Sequence, residues 1–151
     1  KRHWDGRFIL KGIMEVEDAR LAVEAGADAI IVSNHGGRQL DGAPSTIEVL
    51  PEIVDAVGGR CEVWLDSGIR SGQDVLKARA LGARGTLVGR AFLYGLGALG
   101  QQGVTRCLEI LRHELDLTMA FCGHTDIERV DRRILRPPHD QRRQMTAEQH
   151  G

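Results

Sequence analysis

KGIMEVEDARLAVEAGADAIIVS, residues 11–33, recurs in altered form 56 residues later as SGIRSGQDVLKARALGARGTLVG, residues 67–89. The two stretches align without a gap. Identical residues stand at equivalent places in both copies: Gly12 and Gly68, Asp18 and Asp74, Gly26 and Gly82, and Val32 and Val88. A repeat of this length holds a whole supersecondary unit. The chain therefore carries the same unit twice.

The pattern of apolar residues predicts the order strand, helix, strand within each copy. Short apolar runs predict strands, helical spacing predicts the segment between them, and Gly26 and Gly82 end the two helices. The predicted strands are 7–13, 29–33, 62–66 and 85–89, and the predicted helices are 15–25, 45–57, 71–81 and 104–121, with a short helical segment around 125–130. Alternating strands and helices predict an α/β fold with a parallel sheet.

The spacing of the strands favours a barrel. Each strand–helix unit takes roughly 25–30 residues, whereas a closed eight-stranded barrel needs about 250. Four such units therefore predict half of a barrel, and the glycine-rich turns at the strand ends favour it. An open four-stranded sheet of the doubly wound type is the alternative. The polar tail, residues 136–151, is predicted to be disordered and separate from the half barrel of residues 1–135.

Composition limits the classes of function. The 151 residues carry a formal net charge of −1, which argues against binding nucleic acid by bulk electrostatics. No apolar run approaches the roughly 20 residues that span a bilayer. The three cysteines, Cys61, Cys107 and Cys122, lack C-x-x-C spacing and predict reduced thiols and no metal site. We expect a cytoplasmic protein, with peripheral attachment to the inner face of the membrane as an alternative.

The second predicted strand ends on SNHGGRQLDG, residues 33–42, which brings a histidine and an arginine to one turn. Gly36 and Gly37 let the backbone approach a flat ligand closely. Arg38 can bind a carboxylate by two parallel hydrogen bonds. His35 and Arg38 thus suit a base and a carboxylate clamp for a small 2-hydroxy acid, and a purely structural histidine is the alternative.

The other predicted strands also end on polar residues, at the edge where barrel enzymes place their sites. Lys11 ends the first strand and, by itself, is equally typical of a surface lysine. DSGIR, residues 66–70, ends the third strand, and Gly89-Arg90 ends the fourth. Small residues with an arginine at adjacent strand ends predict a phosphate site.

These motifs together resemble the second half of the FMN-dependent 2-hydroxy-acid dehydrogenase and oxidase family, which includes L-lactate dehydrogenase, glycolate oxidase and mandelate dehydrogenase. The resemblance covers residues 4–135 and rests on KGI, SNHGGRQLDG, DSGIR-SGQDVLKARALGA and LVGRAFLYGL in that order. The run GRAFLYGLGALGQQGV is most similar to the bacterial L-lactate dehydrogenase branch.

The resemblance implies a fold and a partner. The fold is the second half, about strands 5–8, of a TIM (β/α)8 barrel, completed by a missing N-terminal half. That half holds the family's substrate tyrosine, its second arginine and the aspartate that orients the histidine. The opening KRHWDG is typical of the interior of a longer protein, so we expect a nicked or separate half of one enzyme. A homo-oligomer, specifically a tetramer, is also expected.

The resemblance further implies FMN as cofactor and the oxidation of a lactate-like L-2-hydroxy acid to the 2-oxo acid, with two electrons passing to FMN. His35 falls on the base and Arg38 on the carboxylate anchor, while Lys11, with Ser33 nearby, falls on the flavin-ring contact. The residues implied to hold the ribityl chain and phosphate are Asp66, Ser67, Gly68, Arg70, Gly89 and Arg90. The alternatives are another phosphate- or FMN-binding TIM-barrel enzyme and a non-catalytic half-barrel interaction module.

Overall fold

Strands and helices alternate along the chain in the computed structural model, which describes residues 3–136. The strands are β1 (Ile9–Ile13), β2 (Ala29–Val32), β3 (Glu62–Leu65) and β4 (Gly85–Thr86), and the helices are α1 (Val16–Glu24), α2 (Thr46–Val57), α3 (Gly72–Ala80) and α4 (Arg90–Phe121). Short 3₁₀ turns occur at His35–Gly37, Ile127–Arg129 and Arg132–Ile134. Apart from Arg136, the predicted tail lies outside the described residues.

The four strands form one parallel sheet in the order β1-β2-β3-β4. Each strand pairs with its neighbour in sequence, and crossovers between parallel strands are almost always right-handed. Successive crossovers in one direction place their helices on the same side of the sheet. A doubly wound sheet instead reverses its strand order to cover both sides. The observed order excludes that alternative and is the order found in a barrel.

The two faces of the sheet differ in character. Ile30, Val32 and Leu65 are almost fully buried and belong to a core that also includes Ile53 of α2. The strand register places Lys11, Ile31 and Trp64 side by side, and alternation along each strand turns them to the opposite face. On that face, Ile9 is 52% exposed. Within the described residues, the core therefore lies between the sheet and its helices.

The internal repeat is confirmed at the level of structure. Helices α1 and α3 are separated by 56 residues at both ends. Each is followed by a glycine with positive φ, 81° at Gly26 and 107° at Gly82. That conformation is open to glycine and unfavourable for residues with a β carbon, so it ends both helices at the same place.

Several predicted boundaries are wrong. β1 begins at Ile9 and not at Arg7, and β4 is two residues long where five were predicted. The largest error is α4, which begins at Arg90 and not at Val104. The backbone is non-helical at Leu99 and Gly100, so α4 consists of two helical segments joined at a break. The predicted helical segment near 125–130 is a 3₁₀ turn over Ile127–Arg129.

The first segment of α4 was missed because its glycines have low helical propensity. Gly95 faces Gly103 across the break, and a β carbon on Gly95 would lie 2.5 Å from the Gly103 carbonyl oxygen. The absence of side chains at both positions lets the two segments touch. This contact joins residues on opposite sides of a break and leaves no local periodicity in the sequence.

Replacing Gly72 should destabilise the protein, because α3 touches α4 there. A β carbon at Gly72 would overlap backbone atoms of Leu111, Glu114 and Leu115. We expect Gly72→Ala to lower the free energy of unfolding of the full-length protein by about 3 kcal/mol or more. Gly97→Ala is the control, since Gly97 lies in a helix with open space around it. It should raise stability by about 0.5–1 kcal/mol. Equal urea denaturation curves for Gly72→Ala and wild type would contradict this packing.

Candidate active site

An open cleft of about 490 Å³ lies at the carboxyl ends of the strands. Parallel strands in sequential order bring all four ends to one edge, so residues far apart in sequence meet there. The predicted site residues that line the cleft are Lys11, His35, Arg38, Asp66, Ser67, Gly68, Arg70, Gly89 and Arg90. Ser33, the remaining one, is 1% exposed and hydrogen-bonds to three of them, Lys11, His35 and Asp66.

A closed hydrogen-bonded group joins the carboxyl ends of β1, β2 and β3. It consists of Lys11, Ser33 and Asp66. The Lys11 ammonium lies 2.8 Å from Asp66 Oδ2 and donates to Ser33 Oγ at 3.1 Å. Ser33 Oγ in turn donates to Asp66 Oδ2 at 2.5 Å. The three side chains thus fix one another's positions.

The charge of Asp66 is stabilised by these neighbours. Burial by itself raises the pKa of the carboxyl group, and hydrogen bonds from Lys11 and Ser33 lower it. The backbone of Ser67 also hydrogen-bonds to the carboxylate. The net result is a pKa below the ordinary value of 3.8. Asp66 is therefore ionised at neutral pH, although only 17% of its side chain is exposed.

The histidine loop, residues 33–42, follows β2 and has a strained backbone. His35 has φ of 55°, a left-handed conformation that is uncommon for a residue with a β carbon. Its amide donates to Ser33 Oγ at 3.2 Å, which holds the turn in place. The imidazole packs against Gly12, where a β carbon would stand 2.9 Å from Cε1 of the ring. Gly12 therefore gives the imidazole its space beside β1.

Gly36 is the junction of three loops. Its amide donates to Ser67 Oγ at 3.1 Å and to Asn34 Oδ1 at 3.0 Å. Its carbonyl oxygen accepts from Arg90 Nη2 at 3.2 Å. Ser67 also has a left-handed backbone, with φ of 76°. Strained residues of this kind persist where the surroundings hold them, and they cluster at functional sites.

Several polar groups in the cleft have no protein partner. Within residues 3–136, the guanidinium groups of Arg38 and Arg70 and the imidazole of His35 form no hydrogen bond or ion pair. No side chain among the described residues caps the amino end of α4 at Gly89, where the first amides of a helix lack intrahelical acceptors. These groups can bind an anion without first breaking a contact within the described part of the chain.

The sequence did not indicate every residue that shapes this site. Gly12 and Asn34 position the histidine loop, yet neither was assigned to the site. Gly36 was expected to let a flat ligand approach, but its place as the junction of three loops was not predicted. Gly12 has a positive φ of 104°, and the only sign of this in the sequence is that Gly12 aligns with Gly68 in the repeat. Gln39, Ile69, Leu87 and Leu93 also line the cleft. No sequence pattern distinguishes these four from other loop and helix residues.

A parallel β/α sheet whose strand ends carry cations that are unpaired within residues 3–136 is typical of barrel-type proteins that bind anionic ligands. Residues 1–137 match the family described as FMN-dependent dehydrogenase, and the chain belongs to that family. This confirms the family inferred from the motifs and FMN as the cofactor of that family.

Relatives and solved structures agree. An L-lactate dehydrogenase of Pseudomonas syringae pv. syringae is 53% identical over 135 residues, which is 89% of this chain and 36% of the relative. A pre-mycofactocin synthase of Mycolicibacterium smegmatis is 54% identical over 127 residues, 84% of this chain and 32% of the relative. A solved structure of mandelate oxidase with benzoyl-formic acid has a TM-score of 0.81 and 57% identity, covering 83% of this chain and 38% of that one.

These comparisons confirm the predicted TIM-barrel class. The four-stranded sheet is a part of that barrel. The chain spans about a third of the length of the curated relatives it matches. No helix in the described part of the chain is long and apolar enough to cross a membrane.

The residues of the cleft fit FMN, a flat ring system carrying a phosphate. Gly68 and Gly89 have open space where a β carbon would stand, so a ligand can approach the backbone at both loops. The Arg70 guanidinium is unpaired within residues 3–136, and the amino end of α4, which no described side chain caps, adds partial positive charge. Lys11 brings a positive charge to the same cleft from β1.

The contribution of Asp66 to the free energy of unfolding should depend on pH. Because the pKa of Asp66 is below 3.8 in the folded protein, its contribution is complete above that value and is lost as the pH falls through the folded pKa. Lys11→Met removes the main partner. The difference in free energy of unfolding between wild type and Lys11→Met should therefore be largest near neutral pH and shrink in acid. Urea denaturation between about pH 2 and 7 measures it.

Lys77→Met serves as the control for that experiment. Lys77 is an exposed lysine of α3 with no contact to Asp66. The same loss of charge there should leave the pH dependence of stability unchanged. A stability difference between wild type and Lys11→Met that stayed constant with pH would rule out the ion pair as its cause.

Proposed function

We propose that the full-length protein oxidises a lactate-like L-2-hydroxy acid to the 2-oxo acid in an FMN-dependent reaction. His35 is the base, and Arg38 binds the substrate carboxylate. The observation that carries the proposal is that His35 and Arg38 lie in one cleft with Lys11. Within residues 3–136, the His35 imidazole and the Arg38 guanidinium have no protein partner. Membership of the FMN-dependent dehydrogenase family supports it.

The side chains of the cleft have different roles, which follow from their chemistry. Arg38 supplies two parallel N–H donors that match a carboxylate, so it can hold a hydroxy acid in one orientation. His35, three residues earlier, can take a proton from the substrate because its ring nitrogens have no competing partner among the described residues. Lys11 adds a positive charge to the same cleft. FMN, when bound, accepts the two electrons that the substrate loses.

Cofactor binding is assigned to the loops after β3 and β4. We infer that Ser67, Gly68, Arg70, Gly89 and Arg90 hold the ribityl chain and phosphate. Support comes from the open backbone at the two glycines and from the free guanidinium of Arg70. Arg90 already donates to the Gly36 carbonyl oxygen, so it links the cofactor loops to the histidine loop.

The partners and location are part of the same proposal. The rest of the barrel would come from an N-terminal half of the same enzyme, in keeping with a relative about two and a half times as long as this chain. We further propose a homo-oligomer, specifically a tetramer, in the cytoplasm, with peripheral attachment to the inner membrane face as the alternative.

A second reaction on the same scaffold is the competing candidate. The relative named pre-mycofactocin synthase is 54% identical to this chain, as similar as the L-lactate dehydrogenase at 53%. Identity over this part of the chain therefore does not choose the substrate. Turnover of L-lactate or mandelate by the FMN-loaded full-length protein decides between the two.

His35→Gln should remove most of the turnover and keep the flavin. A positioned acid–base group contributes about 10²–10⁴-fold, and glutamine keeps a polar side chain without the base. The measurements are kcat with L-lactate and the flavin absorbance per protein. Loss of flavin with normal turnover per remaining flavin would make His35 a structural residue.

Two arginines should separate substrate binding from cofactor binding. Arg38→Lys keeps the charge and loses the two-point geometry, so we expect lower kcat/KM, a cost on the order of 1.5–3 kcal/mol, with unchanged FMN content. Arg70→Ala should weaken FMN retention, while the flavin that remains still turns over. The assignment is wrong should Arg38→Lys shed flavin and leave KM alone.

A further inference from the structure

Lys11 is a cleft cation that the protein itself neutralises. Its Nζ lies 2.8 Å from Asp66 Oδ2 and 3.1 Å from Ser33 Oγ. An ammonium has three N–H donors, so one donor is left after these two contacts. The Lys11 side chain is 39% exposed and lines the cleft, which leaves that donor and the charge accessible to a bound group.

The Asp66 carboxylate changes the electrostatic potential that Lys11 applies to a ligand in the cleft. A lone ammonium applies a full positive charge to its surroundings, whereas an ammonium beside a carboxylate acts as a dipole with a weaker and shorter-ranged potential. Asp66 is largely buried, so water screens this effect only partly. Arg38 and Arg70 differ, because neither has a carboxylate partner in the described part of the chain.

We propose that Asp66 is a positioning residue that acts through Lys11: it fixes Nζ beside the flavin ring and weakens the positive potential that Lys11 applies there. This inference rests on the proposed function, since it takes the ring to lie beside Lys11. Ser33 supports the arrangement, because its hydroxyl accepts from Lys11 and donates to the same carboxylate oxygen. The role goes beyond the ribityl contact implied by the resemblance, because Oδ2 is already occupied by Lys11 and Ser33.

Sulfite affinity of the bound flavin tests the proposal. Sulfite bound to a flavin leaves negative charge on the ring, so its affinity reports the positive potential nearby. Asp66→Asn keeps the size of the side chain and removes its charge. In the FMN-loaded full-length protein, we expect Asp66→Asn to bind sulfite about tenfold more tightly and to raise the flavin midpoint potential. Lys11→Met should bind sulfite about tenfold more weakly or worse.

The double variant shows whether Asp66 acts through Lys11. With Lys11→Met in place, Asp66→Asn removes only the field of the carboxylate itself, so the gain in sulfite affinity should be clearly smaller than the tenfold gain expected when Lys11 is present. Asp41→Asn is the matched control: Asp41 is an exposed aspartate of the histidine loop that contacts neither Lys11 nor Ser33. It should leave sulfite affinity unchanged, and an equal gain there would overturn the proposal as an effect of net charge.

Two other outcomes would also overturn it. One is a loss of FMN retention in Asp66→Asn with normal sulfite affinity for the flavin that remains, which would leave Asp66 a ribityl contact only. The other is a gain in sulfite affinity that is equally large in the Lys11→Met background, which would show that Asp66 does not act through Lys11.

The failure of the proposed function is distinguishable from these results. A full-length protein that binds no FMN would refute the proposed function. The Lys11–Asp66 contact is then tested by acylation of Lys11, followed by mass spectrometry of the unloaded protein. Asp66→Asn should speed acylation of Lys11 several-fold relative to Lys77, because hydrogen bonds to Asp66 must break before the nitrogen reacts. An unchanged rate would overturn the contact on which the inference depends.

Discussion

The carboxylate of Asp66 is the point on which the site depends. Its Oδ2 accepts from Lys11 on β1 and from Ser33 after β2, so one oxygen ties three neighbouring strand ends together. Ser33 also receives the amide of His35, which extends the same contact to the strained histidine turn. Removing either partner would leave a largely buried charge without its hydrogen bond, and that is costly. The geometry of the cleft therefore follows from a group that is not itself expected to react.

The sequence predicts the local features well. Apolar runs and the repeat locate the strands, and the glycines that end α1 and α3 are recognisable because their effect is confined to one turn. The first segment of α4 and the junction at Gly36 could not be predicted in this way. Both depend on contacts that no local pattern shows: Gly95 touches Gly103 across the break in α4, and Gly36 accepts a hydrogen bond from Arg90, 54 residues later. The predicted site residues meet because parallel strands end at one edge, but their partners emerge only from the fold.

The sheet has one covered and one uncovered face within the described residues. Helices bury Ile30 and Leu65, whereas Ile9 and Glu62 on the other side remain exposed. Trp64 on that side already donates its indole N–H to Glu62 at 2.9 Å. In a closed barrel this face is filled by layers of side chains from all eight strands. Its exposure agrees with relatives that are more than twice as long as this chain and belong to the barrel class.

The cations of the cleft divide into two kinds, and the difference has a physical basis. Lys11 is paired within the protein, so its position is set before any ligand arrives, and it needs no rearrangement when charge develops nearby. Arg38 and Arg70 are unpaired among the described residues, so they are free to exchange water for the anion of a ligand. A cation that is already paired within the protein suits a constant electrostatic role, whereas an unpaired cation suits the reversible binding of an anion. The proposed oxidation of a 2-hydroxy acid would use both kinds, a fixed charge beside the cofactor and an open clamp for each new substrate.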